Sequence, residues 1–113
     1  MIATEKEVLE RGLHILSDLN VNDYFKDKIP KVKRSTITRH LTSDKRIEEE
    51  GWRFLVSAPN WQFGRDDGVY AIHFLSDGTP HKIFAATGGR GQTAFITKDE
   101  NGKYKAVATV EEI

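Results

Sequence analysis

Residues 69–87 read VYAIHFLSDGTPHKIFAAT, two apolar runs joined by Asp77-Gly78. Asp-Gly between such runs is a strong hairpin signal, because a tight turn needs positive φ and glycine adopts it freely. With Asp77 and Gly78 as the two loop residues, Ser76 pairs with Thr79, Leu75 with Pro80, Phe74 with His81 and His73 with Lys82. Cross-strand partners share a face and chain neighbours alternate, so His73 and His81 then point to opposite sides. A bulged, odd-length loop reverses that result, and Pro80 itself indicates an edge or a bulge.

The same texture extends in both directions. Towards the C-terminus, Lys82–Thr87 leads into the loop Gly88-Gly89-Arg90-Gly91, then a strand at Thr93–Thr97, a second tight turn at Asn101-Gly102 and a last strand at Tyr104–Val110. Towards the N-terminus, Trp52, Phe54 and Val56 alternate with Arg53, Leu55 and Ser57 until Ala58-Pro59-Asn60 breaks the run. Turn signals at this spacing define an antiparallel meander. Parallel strands would need crossovers far longer than these turns.

Before Gly51 the pattern is helical. Thr4 and Glu7 form a capping box, in which hydroxyl and carboxylate each satisfy a backbone N–H left free at the helix start. Leu9, Leu13, Leu16 and Leu19, widened by Val8 and Ile15, make one apolar stripe, and Asn20 is the stop signal. Asn22 is positioned to cap a short second helix through Tyr24 and Phe25 that ends at Pro30. Residues 31–42 carry Ile37, Arg39 and Leu41 in alternation with Thr36, Thr38, His40 and Thr42, which fits a strand, with an exposed loop as the rival. Ser43 or Asp44 then caps a short helix to Glu50, closed by Gly51. The acidic run Glu48–Glu50 lies at the wrong end of such a helix for its dipole. The expectation is an α+β domain, with N-terminal helices packed on one face of a four- to five-stranded antiparallel meander sheet. Residues 1–113 form one domain, mainly helical over 1–50 and a sheet over 51–113.

Composition narrows the function classes. The chain of 113 residues has 17 basic and 17 acidic side chains, so net charge steers it to neither nucleic acid nor membrane. Two Trp, six Phe and three Tyr supply a core and exclude a disordered chain. No cysteine is present, which removes thiol nucleophiles, disulfides and thiolate metal sites. There is no apolar run long enough to span a membrane and no signal-like start, so a soluble, cytoplasmic protein is expected. No motif calls for a cofactor, and His14, His40, His73 and His81 show no metal-ligand spacing.

The neutral total hides a block. Residues 26–46 carry eight basic side chains against two acidic ones, between flanks that are each net acidic. Lys31, Lys33, Arg34 and Arg39, with nearby hydroxyls, suit contacts to phosphate. The loop Gly88, Gly89, Arg90 and Gly91 is the second candidate. Its glycines let successive N–H groups converge on an anion while Arg90 adds a bidentate donor, although a loop between two strands matches no nucleotide-binding fingerprint. Trp61, Phe63 and Arg65 form the third, with the composition of a protein-interface anchor. The rival reading has Trp61 plugging the core.

These features favour a small non-enzymatic binding or regulatory module, an inhibitor for example. It would dock an anionic partner (nucleic acid, a small phosphorylated ligand or an acidic protein surface) through the basic segment and the Gly-rich loop. One alternative is a hydrolase or nuclease using His73 or His81 with Asp66 and Asp67. The other is a structural subunit, a homodimer for instance, assembled through a sheet edge at Trp52–Ser57 or Tyr104–Val110.

Overall fold

The computed structural model describes residues 2–61, 64–88 and 91–113. One helix, α1 (Glu5–Asp18), precedes six strands: β1 (Lys31–His40), β2 (Arg46–Asn60), β3 (Arg65–Leu75), β4 (Pro80–Ala86), β5 (Gln92–Lys98) and β6 (Tyr104–Val107). A single 3-10 turn, Val110–Glu112, follows. Every strand pairs antiparallel with its neighbour in sequence, giving one open six-stranded sheet. The α+β class and the meander agree with the sequence. The strand number is higher than expected, and among the described residues there is one α-helix, not several.

Helix α1 forms as its sequence dictates. Thr4 is the cap, its Oγ1 accepting from the Glu7 backbone N–H at 3.2 Å. Asn20 ends the helix with φ of 59°, in the left-handed region where asparagine substitutes for glycine. The buried stripe is Val8, Gly12, Ile15 and Leu16, one position around from the all-leucine line, and Leu13 is exposed. Gly12 sets this rotation: a Cβ there would lie 2.6 Å from the Phe54 ring, so the helix seats directly on β2. Val8, Ile15 and Leu16 pack with Trp52, Phe54, Val56, Ile72, Phe74, Ile83, Ile96 and Tyr104 in one core.

Two expected helices are absent. Residues 22–30 form turns and bends. This stretch is held by its surroundings: Phe25 N donates to the Ser57 carbonyl at 2.8 Å, and Tyr70 Oη donates to Asp23 at 2.6 Å. Burial first, then the Asp23 carboxylate, pushes the Tyr70 hydroxyl up to about 12. The second expected helix, residues 43–50, is instead the end of the β1–β2 hairpin loop and the start of β2. Thr38, Ile37 and Thr36 pair with Glu48, Glu49 and Glu50, so the acidic run faces strand partners and not a helix end. Arg39 and Arg34 form ion pairs with Glu49 and Glu50 at 3.6 and 2.8 Å. The sheet therefore begins at residue 31, and the division into a helical 1–50 and a β 51–113 is corrected. Residues 58–60 are the last of β2, and the register against β3 shifts between Ala58 and Asn60 before the strand ends. Because β2 lies between β1 and β3, Trp52–Ser57 is no sheet edge.

The β3–β4 turn keeps His73 opposite Lys82 but then slips, pairing Phe74 with Pro80. Leu75 N donates to the Thr79 carbonyl at 2.8 Å, and Gly78 has φ of 87°. The loop is thus three residues with a bulge at Pro80 and His81, and the simple two-residue register is corrected beyond His73. Trp52 Nε1 and Ala3 N both donate to the Ser76 carbonyl, and Arg11 donates to that of Gly78, which fixes the turn to the start of α1.

Candidate functional site

The register places a row of basic side chains on the sheet face opposite α1. Lys33 pairs with Arg53, Arg53 with His73, and His73 with Lys82. Partners in a row share one face, and Phe54 and Ile72, their chain neighbours, point to the helix. The row continues through Phe95 and Val107. Directly opposed side chains sit roughly 5 Å apart at Cβ, where the like charges of Lys33 and Arg53 repel. Among the described residues none of Lys33, Arg53 or Lys82 forms an ion pair with a carboxylate. Arg53 Nε and His73 Nδ1 are buried with no hydrogen-bond partner. Each such atom costs about 1–3 kcal/mol, so an arrangement like this needs a compensating reason.

A second set of basic groups arrives from the β1–β2 hairpin. Beyond Gly51, which pairs with Leu75, β2 has no β3 partner and only β1 beside it. Gly51 allows the hairpin its course, because a Cβ there would lie 2.3 Å from the Phe74 carbonyl oxygen and 2.9 Å from Ile37 Cδ1. The free end reaches the C-terminal strands. His40 N donates to His81 Nε2 at 3.0 Å, and the His40 ring lies 5.2 Å from Phe95. Ser43 donates to Glu111 through both N and Oγ.

The electrostatics follow from this crowding. Burial first, then Lys82, Arg53 and His81, pushes His73 down to about 4. Burial, Lys82, His40 and Arg39 take His81 to about 4 as well. His40 is lowered by burial, Lys82 and Arg46, and Lys82 by burial and Arg46. The imidazoles are therefore neutral near pH 7. A neutral His81 can accept the His40 N–H through Nε2; a protonated one cannot.

Of the basic residues expected to act together, Lys31, Lys33 and Arg39 share the helix-free face by alternation along β1. Arg34 does not: it lies 4.9 Å over the Trp52 ring and pairs with Glu50. The sequence reading missed Arg46, Arg53 and Lys82. Arg53 was within reach, since extending the His73–Lys82 register by one strand puts it opposite His73.

Of the Gly-rich loop, Gly89 and Arg90 lie outside the described residues. Gly91 has a steric role, because a Cβ on it would meet the Phe84 ring at 2.6 Å. Of the aromatic loop, Phe63 also lies outside the described residues. Trp61 is 70% exposed, which overturns the reading that it plugs the core. Its N–H donates to the Thr87 carbonyl at 3.0 Å, so the β2–β3 turn adjoins the start of the Gly-rich loop. Arg65 pairs with Asp67 at 3.2 Å. Asp66 and Asp67 open β3 while His73 lies near its other end, about 20 Å away along an extended strand. The structure thus does not bring these acids to the histidines, and among the described residues no cluster of His, Asp and Glu could hold a metal ion.

Among the described residues no helix is long and apolar enough to cross a membrane. No protein-family model, no curated protein and no solved structure matches the chain.

Proposed function

We propose that this protein is a non-enzymatic binding module that holds an anionic partner on the helix-free face of its sheet. The observation that carries this reading is the row Lys33–Arg53–His73–Lys82, in which Arg53, His73 and Lys82 are half-buried and none of the three cations has a carboxylate partner among the described residues. A bound anion would accept from the guanidinium of Arg53 and the ammonium of Lys82, and it would relieve the repulsion between Lys33 and Arg53. Charge-assisted bonds of this kind are the strong ones. Arg46 on the hairpin adds positive potential at Lys82, and Arg39 adds it at His81.

The test is thermal unfolding with pyrophosphate, against sodium chloride of equal ionic strength. Pyrophosphate is expected to raise the midpoint, and the double variant Arg53→Met, Lys82→Met to abolish the rise while still folding. Equal effects of the two salts on the wild type would overturn the reading. Anisotropy of a labelled single-stranded oligonucleotide at two salt concentrations separates a compact-anion site from a surface that follows a nucleic-acid backbone, whose affinity falls steeply with salt.

A further inference from the structure

A cavity of about 450 Å³ lies where the β1–β2 hairpin meets β4, β5 and β6. That is the size of a small-molecule site and too small for a folded partner. Its composition is two-sided. Leu41, Leu75, Pro80, Ile96, Tyr104 and Val110 make an apolar wall. Arg39, Lys98, His40 and His81 contribute the charged and ring-nitrogen groups. None of the described lining residues is an aspartate or glutamate. The cavity is separate from the row Lys33–Arg53–His73–Lys82, none of which lines it, and its lining residue His81 is next to Lys82 in β4 and feels its charge.

Resting on the anion-binding reading above, we infer that the ligand is a small amphipathic anion. Its single anionic head would be held by Arg39, Lys98 and the imidazole edge, and its unbranched or aromatic apolar body would lie against Leu41, Leu75 and Ile96. A purely inorganic anion leaves the apolar wall wet, and an uncharged apolar molecule leaves the cations without a partner. Only a molecule with both parts matches both halves. A carboxylate, sulfate or phosphate head satisfies the same donors, so the class is defined by one compact anion on an apolar tail or ring. Arg39 already shares Glu49 at 3.6 Å, a long pair that leaves guanidinium donors for a second acceptor. Lys98 lies 5.0 Å over the Tyr104 ring, which aligns the ammonium at the cavity rim.

The experiment compares octyl sulfate, inorganic sulfate and octanol by calorimetry, with amide chemical shifts to locate each. Octyl sulfate stays ionised throughout the usable pH range, so the protein's groups alone titrate. It is expected to bind at least tenfold more tightly than either fragment and to shift Leu41, Thr97 and Lys98. Arg39→Gln and Lys98→Gln should each weaken it about tenfold, as the loss of one charge-assisted bond requires. Leu41→Ser, at an exposed position, should weaken octyl sulfate and leave sulfate unchanged. Lys105→Gln, on the exposed side of β6, should change neither. If sulfate binds as tightly as octyl sulfate, the apolar half of the inference falls and anion binding stands. If octanol matches octyl sulfate, the anionic head falls. If octyl sulfate binds but shifts only residues elsewhere, the cavity is not its site and the inference is overturned. If neither sulfate nor octyl sulfate binds, the inference is overturned, while the pyrophosphate titration decides the anion-binding reading of the row.

Discussion

His73 and Lys82 face each other across β3 and β4, and a histidine opposite a lysine has an acid-sensitive consequence. His73 and His81 are held near 4, against an ordinary value of 6.5. As pH falls through 6.5 the unfolded chain takes up protons that the folded chain refuses until about 4. Their contribution is therefore complete above pH 6.5 and is lost progressively between 6.5 and 4. Urea midpoints should hold level above neutrality and drop through that window, and His73→Phe should flatten the drop. Proton NMR of the two rings should show both titrating near 4; ordinary values would mean that neither is enclosed as described. Gly12 offers a second test. Alanine is favoured by about 1 kcal/mol at a helix interior, yet the Phe54 ring occupies the place its methyl would take. Overpacking of this kind costs about 1–3 kcal/mol, so Gly12→Ala should lower the thermal midpoint despite the better propensity.

Among the elements, the β1–β2 hairpin is the one whose position rests on few groups. Its end is tied by His40 to His81 and by Ser43 to Glu111. His81→Phe keeps the ring and removes the acceptor. Amide exchange at His40 should accelerate at least tenfold while Ile72 and Phe74 in the core exchange as before. Equal exchange in both forms would show that the imidazole does not hold the hairpin. This element also marks where the sequence could be read and where it could not. Thr4, Glu7 and Asn20 announce α1 by local chemistry, and Asp77-Gly78 announces the β3–β4 hairpin; both stand in the structure. Residues 43–50 do not declare themselves, because Ser-Asp followed by charged residues and glycine is as good a helix signal as a hairpin one. What decides is the row of threonines and isoleucine on β1 opposite Glu48–Glu50, a long-range pairing no local window contains. The site divides in the same way. Lys31, Lys33 and Arg39 are visible as a basic run, whereas Arg53 and Lys82 join them only through the register of four strands.

For the molecule as a whole, the cationic face is a load on folding as well as a surface. Net charge is zero, so the repulsion is local and comes from placement. Lys82→Met should therefore raise the thermal midpoint in dilute buffer, by roughly 4 °C for each kcal/mol of repulsion removed. The gain should shrink in molar salt, where the screening length is about 3 Å. The same variant should respond less to pyrophosphate, trading binding for stability; a midpoint at or below the wild type at low salt would show that the row is not under strain. The two tryptophans give the molecule an optical signature. Trp52 is closed into the core with its indole N–H bonded to the Ser76 carbonyl, while Trp61 stands in solvent just beyond the last residue of β2. Emission should consequently have a blue component that iodide cannot reach and a red one that it quenches by collision. The protein thus carries two built-in fluorophores, one reporting whether the chain is folded and the other whether anything has settled beside Thr87.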